Sequence, residues 1–101
     1  MSENKKYLSV IIPCYNSAEY MHVSIESALV GGEDVEILIV DDGSTKDNTY
    51  EIAKQYEEKY PTIIRAITQE NKGHGGAVNT GIANATGEYI KVLDSDDWLD
   101  E

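Results

Sequence analysis

Four short runs rich in Val and Ile constrain this chain more than any other feature: Leu8–Ile12 (LSVII), Val35–Val40 (VEILIV), Ile63–Ile67 (IIRAI) and Tyr89–Leu93 (YIKVL). The first two are almost continuously apolar. A strand with one face in water alternates, whereas a strand covered on both faces does not. These runs therefore read as strands of a parallel sheet with helices on both sides. Parallel neighbours need crossover connections, and the segments between the runs carry helical spacing. Met21, Ile25, Ala28 and Leu29 share one face, with Asn16 or Ser17 placed to cap the helix and Gly31-Gly32 to end it. Ile52, Ala53, Tyr56 and Tyr60 form a second face, with Asp47 or Asn48 at the cap, Glu51 at the positive end of the helix dipole and Pro61 as the stop. A third, shorter pattern uses Ala77, Val78, Ile82 and Ala85 and ends at Gly87. The expected fold is α/β, in the order β-α-β-α-β-α-β: a four-stranded parallel sheet with right-handed crossovers and about three helices.

At 101 residues the chain is expected to form a single domain over residues 1–101, large enough for one hydrophobic core. Its 19 acidic residues against 8 basic ones give a formal charge of −11. Nucleic acid and anionic lipid are recognised through clustered cations, so neither is an expected partner. A site that uses divalent cations is compatible with this charge. Cys14 is the single cysteine and has no CxxC partner or neighbouring His, so it reads as a packing residue in a reduced, cytoplasmic setting. The apolar stretches are too short for a signal peptide or a membrane span.

The chemically distinctive residues follow the four strands. Pro13-Cys14-Tyr15-Asn16 follows the first, Asp41-Asp42-Gly43-Ser44 the second, Gln69 to Gly76 the third and Asp94 to Asp97 the fourth. Ligands bind open α/β sheets along the carboxyl edge, where the strand order reverses. In the order 3-2-1-4 that reversal lies between the first and fourth strands. Tyr15 then faces the Asp94 cluster, with Asp42 one strand away.

Each set has a plain reading beside the chemical one. Asp94, Asp96 and Asp97 crowd three carboxylates into four residues, and no Lys or Arg follows Lys91. Two carboxylates about 4 Å apart repel by roughly 4 kcal/mol at an effective dielectric near 20. A helix cap at Asp96 or Asp97 accounts for one of them, whereas a divalent cation would relieve the whole cluster and bridge to phosphate oxygens. An EF-hand is excluded, because counting from Asp94 puts Leu99 where the loop needs glycine. Asp41-Asp42-Gly43-Ser44 is either a tight turn or a carboxylate site for a base N–H or a ribose hydroxyl. Glu70 to Gly81 is either a flexible loop with a glycine-rich helix start, or a place where Gly73, Gly75 and Gly76 let backbone amides approach phosphate. It lacks the ending of a Walker A loop and the position of a dinucleotide fingerprint. Lys72 meets a diphosphate or is solvated, and His74 reads as a polar loop residue rather than a metal ligand. Tyr15 is a lid on the sheet edge or a stacking platform for a base.

Taken in order, LSVIIPCYN, EILIVDDGSTKDNT, NKGHGGAVNTGIANATGEYI and VLDSDDW resemble the N-terminal half of a family 2 glycosyltransferase of the Rossmann-like GT-A fold. The resemblance covers nearly the whole chain. It implies inverting transfer of a sugar from a nucleotide donor, most often a UDP-sugar, to an acceptor hydroxyl on a carbohydrate, a lipid carrier or a protein. It implies that Pro13, Tyr15 and Asp42 line the base pocket, with Tyr15 stacking on uracil and Asp42 accepting its imide N–H. Asn16 belongs to the same donor-binding set, and Asp41 supports the loop. Asn71, Lys72, Gly73 and Gly76 then border the ribose and diphosphate. Asp94-Ser95-Asp96 corresponds to the family's Asp-x-Asp, with Asp94 near ribose or metal, Asp96 on Mn²⁺ or Mg²⁺, and Asp97 behind them. The family's catalytic base lies far beyond that motif. The chain is therefore expected to be a donor-binding half cut after the Asp-x-Asp, with no catalytic base of its own. Such a half exposes its fourth strand as a sheet edge able to self-associate. In the longer protein a cytoplasmic site, at most peripheral to the inner face of a membrane, is expected. A non-catalytic nucleotide-binding module of the same fold is the alternative. A signalling receiver domain fits less well, since its acid pair follows the first strand and a fifth strand supplies a Lys.

Overall fold

Strands β1 (Leu8–Cys14) and β2 (Val35–Asp42) are buried along nearly their full lengths, as their unbroken apolar runs require. In the computed structural model, which describes residues 6–16, 18–19, 21–43, 48–71 and 73–93, they form the centre of a parallel sheet. β3 (Ile64–Gln69) flanks β2 and β4 (Tyr89–Val92) flanks β1, giving the expected order β3-β2-β1-β4. The register pairs Cys14 with Asp41 and Asp42 with Gln69, so polar residues at three strand ends lie level with one another.

Alternation along the strands divides the core in two. Val10, Ile12, Cys14, Ile37, Ile39 and Ile64 point to one face, where they pack against helices α1 (Met21–Leu29) and α2 (Thr49–Lys59). α1 contributes Met21, Ile25 and Ala28, and α2 contributes Ile52 and Ala53, at the spacing that puts side chains on one helical face. Ile11, Leu38 and Val40 point the other way, against helix α3 (Gly73–Asn84). A turn of 3-10 helix at Gly32–Asp34 leads from α1 into β2.

α3 departs from the sequence pattern. It runs for 12 residues from Gly73, so it is the longest helix among the described residues and takes up the glycine-rich segment as its first turns. Ile82, expected on its inner face, is 45% exposed. The inward positions are Ala77 and Gly81, and a Cβ on Gly81 would lie 2.4 Å from Cγ2 of Ile11. Small residues let this helix lie close on β1, and a pattern built on large apolar side chains does not register them.

The far end of α3 is tied to the sheet through a buried carboxylate. Glu36 Oε2 accepts from the Ser9 hydroxyl (2.8 Å) and from the amide and hydroxyl of Thr86 (2.8 and 3.0 Å), while Gly87 N–H donates to Ser9 Oγ. Arg65 reaches the carbonyl of Asn84 at 2.9 Å and lies 3.7 Å from Glu36 Oε1. Among the described residues, no helix is long and apolar enough to cross a membrane.

Candidate functional site

β1 ends in Pro13-Cys14 and β2 in Asp41-Asp42, and both acids are nearly buried (3% and 4% exposed). Alternation sends the two acids to opposite faces. Asp41 Oδ2 accepts from the Thr68 hydroxyl at 2.9 Å, on the α1–α2 side. Asp42 turns toward α3. Its Oδ1 accepts from Gln69 Nε2 (3.0 Å), and its Oδ2 accepts from the backbone N–H of Gly73 (2.9 Å), the first residue of α3. A negative oxygen at a helix N-terminus is favoured by the unpaired amides and the dipole there.

The backbone around Asp42 is equally constrained. Gly43 turns the chain at φ 73, and a Cβ there would lie 2.8 Å from the amide nitrogen of Asn71. Only glycine satisfies both the left-handed conformation and the close approach. Asn71 reaches back from the other side, its Nδ2 donating to the Asp42 carbonyl at 3.1 Å. The amide of Gln69 is itself braced, because the Thr80 hydroxyl, two turns into α3, reaches Gln69 Oε1. That same hydroxyl lies 3.0 Å from the carbonyl of Gly76.

These elements enclose a cleft of about 240 Å³. Pro13, Cys14 and Tyr15 form one wall, Asp42 the floor, and Asn71, Gly73 and Ala77 the other wall. Tyr15 is 49% exposed at the mouth. Asn16 follows it with φ 51, a left-handed conformation that asparagine tolerates better than most residues. The cleft therefore offers an aromatic ring, an apolar lining and one carboxylate held by the protein's own donors. It can take a flat ring that carries an N–H on its edge.

Of the residues singled out in the sequence, Pro13, Tyr15, Asp42, Asn71 and Gly73 line this cleft. Asp41 does not, since it faces the opposite side with Thr68. Gly76 lies within α3, away from the lining. Lys72, Ser44, Asp94, Asp96 and Asp97 fall outside the described residues. Leu93, which precedes the acidic cluster, is held beside β1 by its N–H to the Ile11 carbonyl (2.8 Å). Among the described residues no three His, Cys, Asp or Glu side chains are grouped to hold a metal. Asp41 and Asp42 accept from protein donors instead. The all-oxygen set of Asp94 and Asp96 matches what Mg²⁺ and Mn²⁺ prefer. Sequence reasoning placed Gln69 at the head of the segment after the third strand without giving it a role, and missed Thr68 and Thr80. The available signal was register: Thr68 and Gln69 lie opposite Asp41 and Asp42 on the neighbouring strand.

A family model described as "Glycosyl transferase family 2" matches residues 9–101. An uncharacterized glycosyltransferase of Nostoc sp. is 50% identical over 91 residues, covering 89% of this chain and 28% of the relative. The chondroitin synthase of Escherichia coli is 44% identical over 94 residues, covering 92% of this chain and 13% of the synthase. Among solved structures, a mannosyltransferase from Pyrobaculum calidifontis in complex with GDP-Man and Mn²⁺ superposes with a TM-score of 0.79 at 26% identity, over 93% of this chain and 28% of that one. The chain thus spans less than a third of the length of each of these proteins.

Proposed function

The chain belongs to glycosyl transferase family 2, and on that premise we propose that it is the donor-binding half of an inverting glycosyltransferase that uses a nucleotide-sugar, with a UDP-sugar favoured. The observation that carries this reading is Asp42, an acceptor held in place at the floor of an aromatic-lipped cleft. The donor's base enters between Tyr15 and the start of α3. The Tyr15 ring covers its face, and the Asp42 carboxylate accepts an imide N–H on its edge. Pro13 and Ala77 exclude water from the ring, which strengthens that hydrogen bond. Asn71 borders the ribose, and Lys72 the diphosphate.

Asp94 and Asp96 would hold Mn²⁺ or Mg²⁺, which when bound supplies charge stabilisation to the departing nucleoside diphosphate. The mannosyltransferase solved with GDP-Man and Mn²⁺ supports a nucleotide-sugar and a divalent ion in this fold. The proton of the acceptor hydroxyl goes to a general base located after Glu101. The relative named chondroitin synthase, from Escherichia coli, supports bacterial polysaccharide assembly as the setting, with a growing glycan as the acceptor. The 101-residue chain then binds donor without turning it over.

Titration of the chain with UDP, with and without Mn²⁺, tests the reading, with GDP and dTDP as competitors. The expected result is metal-dependent binding that Asp96→Ala weakens at least about tenfold, equivalent to roughly 1.4 kcal/mol. Equal affinity with and without metal would refute the metal assignment. Sugar transfer by the purified chain alone would refute its assignment as a half-site.

A further inference from the structure

Asp42 recognises the donor only if its carboxylate stays where the cleft needs it, and two side chains outside the cleft bear on that. Gln69, on β3, stands beside Asp42 in register. Its amide can be seated two ways, with nitrogen or with oxygen toward Asp42. Only the first gives a hydrogen bond, because an ionised carboxylate is an acceptor alone. The acceptor-only carboxylate therefore sets the orientation, with Nε2 directed at Asp42 Oδ1 at 3.0 Å, and the Thr80 hydroxyl braces the amide by meeting Gln69 Oε1 on its other side. The other carboxylate oxygen is held by Gly73 N–H at 2.9 Å. Asp42 is thereby clamped between β3 and the first residue of α3, and Thr80 joins the same two elements two turns further along.

Resting on the donor-binding reading above, we propose that Gln69, braced by Thr80, is a positioning residue for base selection. It acts through Asp42 and lines no part of the cleft itself. With the carboxylate clamped, a base that presents an N–H at the matching ring position gains a hydrogen bond. A base that presents a lone pair there meets a negative oxygen that cannot turn away. Uracil presents N3–H, whereas cytosine presents an N3 lone pair. The clamp therefore favours uridine over cytidine nucleotides, that is, imide over amidine edges, and loosening it erodes that preference as well as the affinity.

The test is calorimetric titration of the chain with UDP and CDP in the presence of Mn²⁺. Asp42→Ala is expected to weaken UDP binding by more than tenfold. Gln69→Ala is expected to weaken it about five- to tenfold and to narrow the UDP-to-CDP preference. The double variant should be no weaker than Asp42→Ala alone, since Gln69 acts only through Asp42. Gln69→Glu keeps the shape and the bond from Thr80 but replaces the donor with a second acceptor. It should therefore bind UDP more weakly than Gln69→Ala, whereas a packing role would make Glu the milder change. Thr80→Val is expected to cost two- to threefold in the wild-type background and nothing once Gln69 is Ala. Additive losses in the double variant, or an unchanged UDP-to-CDP ratio in Gln69→Ala, overturn the inference while leaving the donor site intact. A wild-type chain that binds neither nucleotide overturns the donor-binding reading and the inference with it.

Discussion

Asp42 and Gly43 meet opposite demands at adjacent positions. Asp42 must present a charge at the end of a buried strand, and Gly43 must then reverse the chain within van der Waals distance of Asn71. Gly43→Ala puts a side chain at φ 73 and a Cβ 2.8 Å from the Asn71 nitrogen. Backbone strain of this kind costs on the order of 1–3 kcal/mol. In a domain of this size each kcal/mol lowers the melting temperature by roughly 4–8 °C. Thermal denaturation of Gly43→Ala should show a loss of at least that size, with weaker nucleotide binding because Asn71 is displaced from the Asp42 carbonyl. A variant that melts like the wild type sinks the close-approach argument. The Asp-Gly pair was legible in sequence because a turn after a buried strand calls for these residue types. The role of Gln69 was not, since a Gln at a strand end carries no assignment until the strands are aligned and Asp42 appears beside it.

Strands and helices were legible where burial follows large apolar side chains, as in β1, β2, α1 and α2. α3 was misjudged in length and in its inner face because its contact with β1 runs through Gly81. Gly81→Ala would force a methyl group to within 2.4 Å of Ile11 Cγ2, and overpacking of this sort costs about 1–3 kcal/mol. Chemical denaturation should show that loss. Ile11→Ala, which removes the two Cγ atoms in conflict, should cost less in the Gly81→Ala chain than in the wild type, which separates steric conflict from a change in helix propensity. The outer edge of the sheet carries a different device. On β3 the Ala66 N–H donates to Glu57 Oε2 of α2 at 3.1 Å, and Lys54 contacts the other oxygen at 2.6 Å. The Lys54 hydrogen bond, then the Ala66 amide and the nearby positive charges, outweigh partial burial and hold the Glu57 carboxyl below its ordinary 4.5. A depressed carboxyl stabilises the fold above its unfolded value and loses that effect as pH falls through the lower, folded value. Glu57→Gln should therefore be less stable than the wild type at pH 7, by about 1 kcal/mol. The gap should close as pH drops below about 4.5. A gap that stays constant down to pH 3 rules out the charge as its cause.

The whole molecule is unevenly covered. α1 and α2 shield one face across β1, β2 and β3, and α3 shields the other over β1 and β2. Among the described residues β4 is the least covered strand, its residues all exposed: Tyr89 by 56%, Ile90 by 47% and Val92 by 39%. Tyr7 adds its ring edge-on to Tyr89 at 5.2 Å and is itself 62% exposed. A parallel sheet normally has helices over both faces, and an exposed apolar edge strand is a template for pairing. Two copies can meet edge to edge about a two-fold axis, with β4 antiparallel to β4. The formal charge of −11 on each copy opposes that encounter. Salt weakens the opposition, because the screening length falls from about 30 Å at 0.01 M to about 8 Å at 0.15 M. The expectation is thus specific in sign: sedimentation equilibrium should show self-association that strengthens with added NaCl, the reverse of an association built on ion pairs. Ile90→Lys places a charge on the edge and should keep the chain monomeric at both salt concentrations, with its melting temperature little changed because the side chain is already half in water. Association that weakens with salt, or that survives Ile90→Lys, would place the contact elsewhere on the molecule.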